Sequence, residues 1–160
     1  MKNILSWEEL KKEVELRRLD GSKIVFTNGC FDIIHAGHVH YLHKAKNAGD
    51  VLIVAVNSDS SVRKIKGEKR PIVPQKERAA VVASLKSVDY VTIFEETTPI
   101  KLIEYLRPDI LVKGSDWHED KIVGRDSILS WGGKVALIPL VEGASTTKII
   151  EKILFAYNKD

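Results

Sequence analysis

The sequence lacks the features of a secreted or membrane-spanning protein. It contains a single cysteine, Cys30, so no disulfide can form within the chain, and this usage is typical of a reducing compartment. No apolar run approaches the roughly 20 residues that a transmembrane helix requires. The first residues, MKNILSWEE, contain no apolar stretch of the kind found in a signal peptide. We therefore expect a cytoplasmic protein without a membrane partner.

Two common nucleotide-binding motifs are also missing. The sequence contains neither G-x-x-x-x-G-K-[ST] nor G-x-G-x-x-G, which excludes a P-loop and the usual dinucleotide fingerprint. Aromatic residues make up only 7% of the chain, and the net charge is only +3. A non-catalytic RNA-binding module that uses residues 63–70 is an alternative, but no aromatic platform for stacking bases accompanies that segment. We expect no nucleic-acid partner.

Positive charge is present, but it is concentrated in one short segment. Residues 63–70 carry a net charge of +4, so the rest of the chain carries −1. The cations of this basic segment are Arg63, Lys64, Lys66, Lys69 and Arg70. A solvated loop would explain such a segment, whereas its isolation favours an anion-binding site. Because Pro71 and Pro74 follow it, the basic segment is predicted to be a loop.

Apolar, β-branched runs alternate with helical patterns along the chain. A capping-box pattern at Ser6 and Glu9 predicts a helix that ends before Asp20. Strands are predicted at 23–27, 51–56, 90–94, 109–112 and 134–138, and further helices at about 38–47, 74–85, 99–106, 126–131 and 145–157. This alternation predicts an α/β fold, a Rossmann-like doubly wound parallel sheet of about five strands with helices on both faces. We expect one domain, 1–160, with 1–20 as an N-terminal helical extension.

The unusual residue clusters follow the ends of the predicted strands. They lie at residues 27–38, 57–59, 113–117 and 143–147. Ligands of doubly wound sheets bind beyond the carboxyl ends of the strands, so these clusters should meet. Glycines, imidazoles, ammonium groups and a helix N-terminus suit a polyphosphate.

The most informative cluster is His35-Ala36-Gly37-His38. Two histidines three residues apart at a helix start can place their rings on one face, next to the positive end of the helix dipole. Gly37 removes a side chain where a phosphate would approach. Imidazole N–H groups can then bind phosphate oxygens as negative charge moves toward a leaving group. A single histidine is more often structural, but this pair favours a phosphate site.

Two further histidines, His40 and His43, raise the alternative of a metal site. At about 100° per residue, the four histidines spread over roughly 200° of the helix circumference. They cannot converge on one ion, so we predict no protein metal site and expect His40 and His43 to be surface or packing residues.

Three other groups have both an ordinary and a functional interpretation. Ser145, Thr146 and Thr147 could simply cap the last helix, but three hydroxyl groups together also suit a phosphate. The pair Asp116 and Trp117 could line a base or ribose pocket, or belong to a plain loop. Cys30 could be a nucleophile, but no base partner is evident, so a buried or loop thiol is favoured.

These residues resemble the signatures of a known superfamily. Asn28-Gly29-Cys30-Phe31-Asp32 with His35-Ala36-Gly37-His38 resembles the H-x-G-H signature of the cytidylyltransferase-like nucleotidylyltransferases, and 145–149 resembles their C-terminal signature. Further motifs are similar to the adenylyltransferase domain of the ADP-heptose synthases: 56–59, 66–67, 70–71, Pro74, Arg78, 88–89, 94–95, 98–99, 108–109 and 111–114. The similarity covers residues 23–154.

The resemblance implies transfer of the adenylyl group of ATP to D-glycero-β-D-manno-heptose 1-phosphate, giving ADP-heptose and pyrophosphate for lipopolysaccharide core sugar. The catalytic residues that it implies are His35, His38 and Lys66. The implied nucleotide-binding residues are Asn28, Gly29, Cys30, Phe31, Gly37, Lys113, Gly114, Asp116, Ser145, Thr146 and Thr147. The implied residues for the substrate phosphate are Asp32, Asn57, Asp59, Arg70 and Arg78. Mg²⁺ is expected to arrive with ATP.

The resemblance also bears on partners and on the alternative activity. Many members carry a sugar-kinase domain ahead of this one, whereas about 20 residues precede the first predicted strand here. We therefore expect a separate kinase to supply the sugar 1-phosphate, and a homo-oligomer, most simply a dimer. Related glycerol-phosphate cytidylyltransferases commonly have an arginine where this chain has Leu140-Val141. This departure weakens, without removing, the alternative of a cytidylyltransferase acting on glycerol 3-phosphate or a similar alcohol phosphate.

Overall fold

A computed structural model describes residues 3–116, 118–141 and 143–157. Its strands are β1 (Ile24–Gly29), β2 (Val51–Asn57), β3 (Tyr90–Phe94), β4 (Ile110–Gly114) and β5 (Lys134–Ile138). Its helices are α1 (Trp7–Leu19), α2 (Ala36–Lys46), α3 (Asp59–Lys66), α4 (Gln75–Ala83), α5 (Ile100–Leu106), α6 (Arg125–Ser130) and α7 (Thr146–Tyr157), with a 3-10 turn at Glu119–Lys121.

The five strands form one parallel sheet in the order β3-β2-β1-β4-β5. Strand order reverses at β1, which pairs with β2 on one side and with β4 on the other. The predicted Rossmann-like α/β fold is confirmed. A crevice is expected where the order reverses, at the carboxyl end of β1.

The apolar core lies on both faces of the sheet. Alternate residues of β2 point to opposite faces, so Leu52 and Val54 join one buried cluster and Ile53 the other. All seven residues of β2 are buried, which agrees with the uninterrupted apolar run of its first six residues. Helices α2 and α4 cover the first face, and α1, α5 and α6 cover the second.

Helix α1 begins at the predicted capping box. The Ser6 Oγ accepts from the Glu9 N–H at 3.2 Å, and the Ser6 N–H donates to Glu9 Oε2 at 2.8 Å. Just before it, the N–H of Leu5 donates to Val91 O, which adds a short parallel bridge to the edge of β3. Among the described residues no helix is long and apolar enough to cross a membrane.

The prediction of a loop for the basic segment is wrong over its first half. Residues up to Lys66 form α3, whose first turn is capped by Ser58: its Oγ accepts from the Ser61 N–H at 3.1 Å. The helix ends at Gly67, which has a φ of 94°. Val62 and Ile65 are the only apolar residues of α3, which are too few to predict a helix from the sequence.

Candidate active site

A cavity of about 550 Å³ opens at the carboxyl ends of the strands. Of the 19 residues predicted for the site, 17 line this cavity, and Asp59 and Arg78 do not. The 17 are Asn28, Gly29, Cys30, Phe31, Asp32, His35, Gly37, His38, Asn57, Lys66, Arg70, Lys113, Gly114, Asp116, Ser145, Thr146 and Thr147. Trp117 lies outside the described residues. The fold thus brings together segments that are more than 100 residues apart in the chain.

The histidine pair lines the cavity at the start of α2. Helix α2 begins two residues earlier than predicted, directly after His35, so His38 occupies its first turn. The two imidazole rings stack with their centroids 3.8 Å apart and their planes 27° apart. The predicted placement of both rings on one face is therefore observed. A Cβ on Gly37 would lie 2.9 Å from the Cβ of Ala144 and 3.0 Å from the His35 ring, so only glycine fits between α2 and the segment before α7.

Both imidazoles are held in an environment that disfavours charge. Burial, and then the neighbouring His35, lowers the pKa of His38 to about 4, and burial also lowers the pKa of His35. Among the described residues, neither Nδ1 atom has a hydrogen-bond partner although both are buried. Buried polar atoms are normally hydrogen-bonded, so two unpaired ring nitrogens side by side are unusual for a folded protein. At neutral pH each ring is an uncharged donor and acceptor.

The lowered pKa of His38 predicts a loss of stability in acid. The unfolded chain, with a histidine pKa near 6.5, binds more protons than the folded protein between about pH 6.5 and pH 4. The free energy of unfolding should therefore fall as the pH is lowered through this window. Urea denaturation of the wild type at pH 7 and pH 5 measures the difference, which His38→Gln should reduce.

The matched control for this experiment is the exposed His43 of the same helix. His43→Gln should keep the wild-type dependence on pH. If both variants behave like the wild type, the burial of the His38 imidazole contributes nothing to the acid sensitivity.

Asp32 lines the cavity, but its carboxylate is already fully used. It accepts from Arg70 Nε at 2.5 Å and from the N–H groups of Ile72 and Val73 at 2.9 Å and 2.8 Å. Burial opposes ionisation of Asp32, but the hydrogen bonds from Val73, Ile72 and Arg70 outweigh it and lower its pKa. In this structure Asp32 orients Arg70 and anchors the segment that follows it, and its contact with a substrate phosphate stays a prediction.

Arg78 and Asp59 also take a structural role rather than the predicted one. The Arg78 side chain is fully buried and donates to Asp59 Oδ1 at 2.7 Å, to Val73 O at 2.9 Å and to Cys30 O. With its donors aimed at protein oxygens, the guanidinium connects α4, α3 and the end of β1. Neither residue is among those that line the cavity, and the two side chains pair with each other instead.

On the other side of the cavity, β4 supplies a buried cation. Lys113 Nζ donates to Asn28 Oδ1, and burial lowers the pKa of Lys113 to about 8 against the opposing effect of Asp116. Lys113 therefore stays mostly protonated at pH 7. A Cβ on Gly114 would lie 2.5 Å from Asp116 Oδ1 and 3.0 Å from Leu140 Cδ2, so this glycine lets both side chains approach the strand.

The hydroxyl groups at the start of α7 divide between capping and binding. Ser145 Oγ accepts from the Lys148 N–H at 3.1 Å, which is ordinary capping, and Thr146 Oγ1 donates to Ile33 O at 3.4 Å. Among the described residues, the hydroxyl of Thr147 has no partner.

Cys30 is partly buried, and burial raises the pKa of its thiol. A raised pKa disfavours the reactive thiolate, which supports a residue of the cavity wall over a nucleophile.

Several lining residues were not among the predicted site residues. They are Tyr41, Ile65, Thr97, Thr98, Pro99, Ile122, Val123, Leu140, Val141 and Ala144. The Tyr41 hydroxyl lies 2.8 Å from Thr27 Oγ1 and donates to Val112 O at 3.2 Å, and burial raises the pKa of Tyr41 to about 12. Two of these pairs could have been found from the sequence. Thr98-Pro99 matches a family motif, and Leu140-Val141 replaces the arginine of the related cytidylyltransferases.

The described residues were compared with the ligand clusters that hold metal ions in proteins. Within residues 3–116, 118–141 and 143–157 there is no group of three or more histidine, cysteine, aspartate or glutamate side chains that could hold an ion. The cavity carboxylate of Asp32 is committed to Arg70 and two N–H groups.

The cavity has neutral donors at its centre and a different set of side chains on each side. Such a site suits the transfer of a phosphate-linked group between two substrates, which is the work of a nucleotidyltransferase.

Comparison with known proteins identifies the family of nucleotidyltransferases to which the chain belongs. The chain belongs to the cytidylyltransferase-like family, whose family model matches residues 26–152. Curated relatives named bifunctional protein HldE include those of Geobacter metallireducens, 54% identical over 147 residues, and Citrifermentans bemidjiense, 56% identical over 137 residues. These alignments cover 92% and 86% of this chain but 30% and 28% of the relatives, so the chain spans less than a third of their length.

A solved structure supports the same assignment. The crystal structure described as the lipopolysaccharide core biosynthesis protein from Thermoplasma volcanium is 33% identical, with a TM-score of 0.64. The match covers 78% of this chain and 100% of that one. The predicted family, fold and enzyme class, a nucleotidyltransferase, are therefore confirmed, while the roles of individual site residues stay predictions.

Proposed function

We propose that this chain transfers the adenylyl group of ATP to D-glycero-β-D-manno-heptose 1-phosphate, releasing pyrophosphate. The observation that carries the proposal is the stacked, uncharged pair of His35 and His38 in a cavity that is also lined by the cations of Lys66, Arg70 and Lys113. The relatives named HldE and the neighbour described as a lipopolysaccharide core biosynthesis protein support the choice of acceptor. The motifs shared with the ADP-heptose synthases support the choice of ATP.

The proposed reaction is an in-line displacement without a covalent enzyme intermediate. An oxygen of the sugar phosphate forms a bond to the α-phosphorus of ATP, and the bond from that phosphorus to the oxygen bridging to the β-phosphorus breaks. His35 and His38 donate to phosphate oxygens that gain negative charge in the transition state. Since neutral imidazoles need no proton transfer for this, their lowered pKa values suit the role.

Charged and hydroxyl groups position the two substrates. Lys66 has no hydrogen bond or ion pair to any described residue, so its ammonium group is available to a phosphate. Arg70, oriented by Asp32, supports it. Thr146 and Thr147 at the start of α7 bind the β- and γ-phosphates, aided by the helix N-terminus.

The divalent ion expected of such enzymes is proposed to be Mg²⁺. Because the described residues offer no cluster of ligands, the ion would be held by the phosphates of ATP. The Mg²⁺ ion would neutralise part of the negative charge of the triphosphate. A dimer in solution and a separate sugar kinase as the source of the acceptor also stay proposals.

Incubation with paired substrates tests this function. We expect ADP-heptose by mass spectrometry and an equal amount of pyrophosphate when the protein receives ATP, Mg²⁺ and the heptose 1-phosphate. CTP in place of ATP should give little product. Preference for CTP with glycerol 3-phosphate would establish the alternative cytidylyltransferase activity, and salt-dependent oligonucleotide binding without pyrophosphate release would contradict both.

A further inference from the structure

The cavity has two chemically different halves on either side of β1. The half beside β4 and β5 combines the apolar side chains of Ile122, Val123 and Leu140 with the polar side chains of Lys113 and Asp116, a mixture that suits a nucleotide base. The half beside β2 and β3 is lined by Lys66, Arg70 and a group of small polar residues. The histidine pair lies between the halves, at the end of β1, where the strand order reverses.

The polar half is built as one connected unit. Asn57 Nδ2 donates to Ser61 Oγ at 3.0 Å, and Ser61 Oγ donates to Glu96 O at 2.6 Å. The N–H of Ser58 donates to Phe94 O at 2.8 Å. These bonds attach the segment after β3 to α3, whose last residue is Lys66. Asn57 is only 3% exposed and an N–H of its amide is bonded to Ser61, so its side chain helps to support this wall.

Thr97 and Thr98 are the exposed part of that unit. Both line the cavity, and in the part of the chain that the structure describes neither hydroxyl has a hydrogen-bond partner. The segment that carries them is fixed on one side by Ser61 and on the other by the buried Pro99. Two free hydroxyl groups therefore stand on a rigid wall, on the same side of β1 as the cations of Lys66 and Arg70.

We propose that Thr97 and Thr98 bind the hydroxyl groups of the sugar, while Lys66 and Arg70 hold its phosphate. This assignment rests on the proposed function for its acceptor. A threonine hydroxyl both donates and accepts, as a sugar hydroxyl does, so the two groups can pair in either direction. The half beside β4 and β5 is left for the nucleotide base. Thr97 and Thr98 thus determine specificity for a polyhydroxylated acceptor.

The test is Thr97→Val together with Thr98→Val, which removes both hydroxyls and keeps the shape of the side chains. Each lost neutral hydrogen bond corresponds to roughly 2- to 12-fold in affinity. We expect the KM for the heptose 1-phosphate to rise roughly 10- to 100-fold for the double variant. The KM for ATP and the thermal shift produced by ATP should stay at wild-type values, which also shows that the variant folds.

Thr147→Val supplies the contrast, because it should raise the KM for ATP and leave the KM for the acceptor unchanged. An unchanged acceptor KM in the Thr97/Thr98 variant, or an increase only in the KM for ATP, would overturn the inference. Failure of the proposed function looks different, because the wild type would then make no ADP-heptose. In that case the KM for the nucleotide and the KM for the acceptor are measured with the hydroxyl-bearing phosphate that the wild type does use. An unchanged acceptor KM in the Thr97/Thr98 variant would again overturn the inference.

Discussion

His38→Ala should lower kcat by roughly 10²–10³, the usual cost of removing one donor that stabilises a developing negative charge. The structure supports this size of effect because His38 is the more desolvated member of the pair, with its pKa lowered to about 4. It stacks on His35 and contacts Phe31, with ring centroids 5.4 Å apart, so its orientation is fixed before substrate binds. A preorganised donor loses nothing to reorientation in the transition state.

The measurement is steady-state release of pyrophosphate at saturating ATP and acceptor, with ATP binding followed separately by thermal shift. We expect kcat to fall far more than ATP affinity, since the interaction strengthens in the transition state. His43→Ala, on an exposed position of the same helix, is the matched control and should keep wild-type kcat. Near-normal turnover by His38→Ala would remove the histidine pair from the mechanism.

The local parts of this site could be predicted from the sequence because they depend on short-range rules. The uninterrupted apolar run of β2 indicated a strand covered on both faces, and every residue of that strand is buried. The spacing of His35 and His38 around Gly37 indicated rings on one face, and the rings stack. Each of these inferences needs only neighbours in the chain and the periodicity of one element.

The parts that the sequence did not reveal depend on contacts between distant residues. Arg78 contacts Cys30, which lies 48 positions earlier, and Asp59, which lies 19 positions earlier. The sequence showed only an arginine close to other cationic residues, which did not indicate that its side chain is buried. Thr97 and Thr98 reach the cavity because Ser61 fixes the neighbouring carbonyl, a bond across 35 positions. Helix α3 was not predicted for another reason, which is that it is mostly polar and only two of its eight residues are buried.

Arg78→Met should lower the free energy of unfolding by about 3 kcal/mol, the lower part of the range for removing one partner of a buried ion pair. The lower part is appropriate because the Asp59 side chain keeps 28% exposure and can be solvated when its partner is lost. The carbonyl groups of Val73 and Cys30 would also lose their donor. For a domain of this size, the Tm should fall by roughly 6–12 °C in a thermal unfolding experiment.

The same variant separates two roles for Arg78. If its guanidinium bound the substrate phosphate, as the family motif implies, Arg78→Met would weaken acceptor binding and leave the Tm almost unchanged, because a ligand-directed cation contributes little to the unliganded fold. If it instead holds the end of β1, α3 and α4 together, the main effect of Arg78→Met is the lower Tm. The acceptor KM then rises only indirectly, to the extent that Arg70 and Lys66 are displaced. Lys76→Met is the matched control, since it removes an exposed cation from the same helix and should cost much less stability. A stable Arg78→Met protein with a raised acceptor KM would return Arg78 to the binding site.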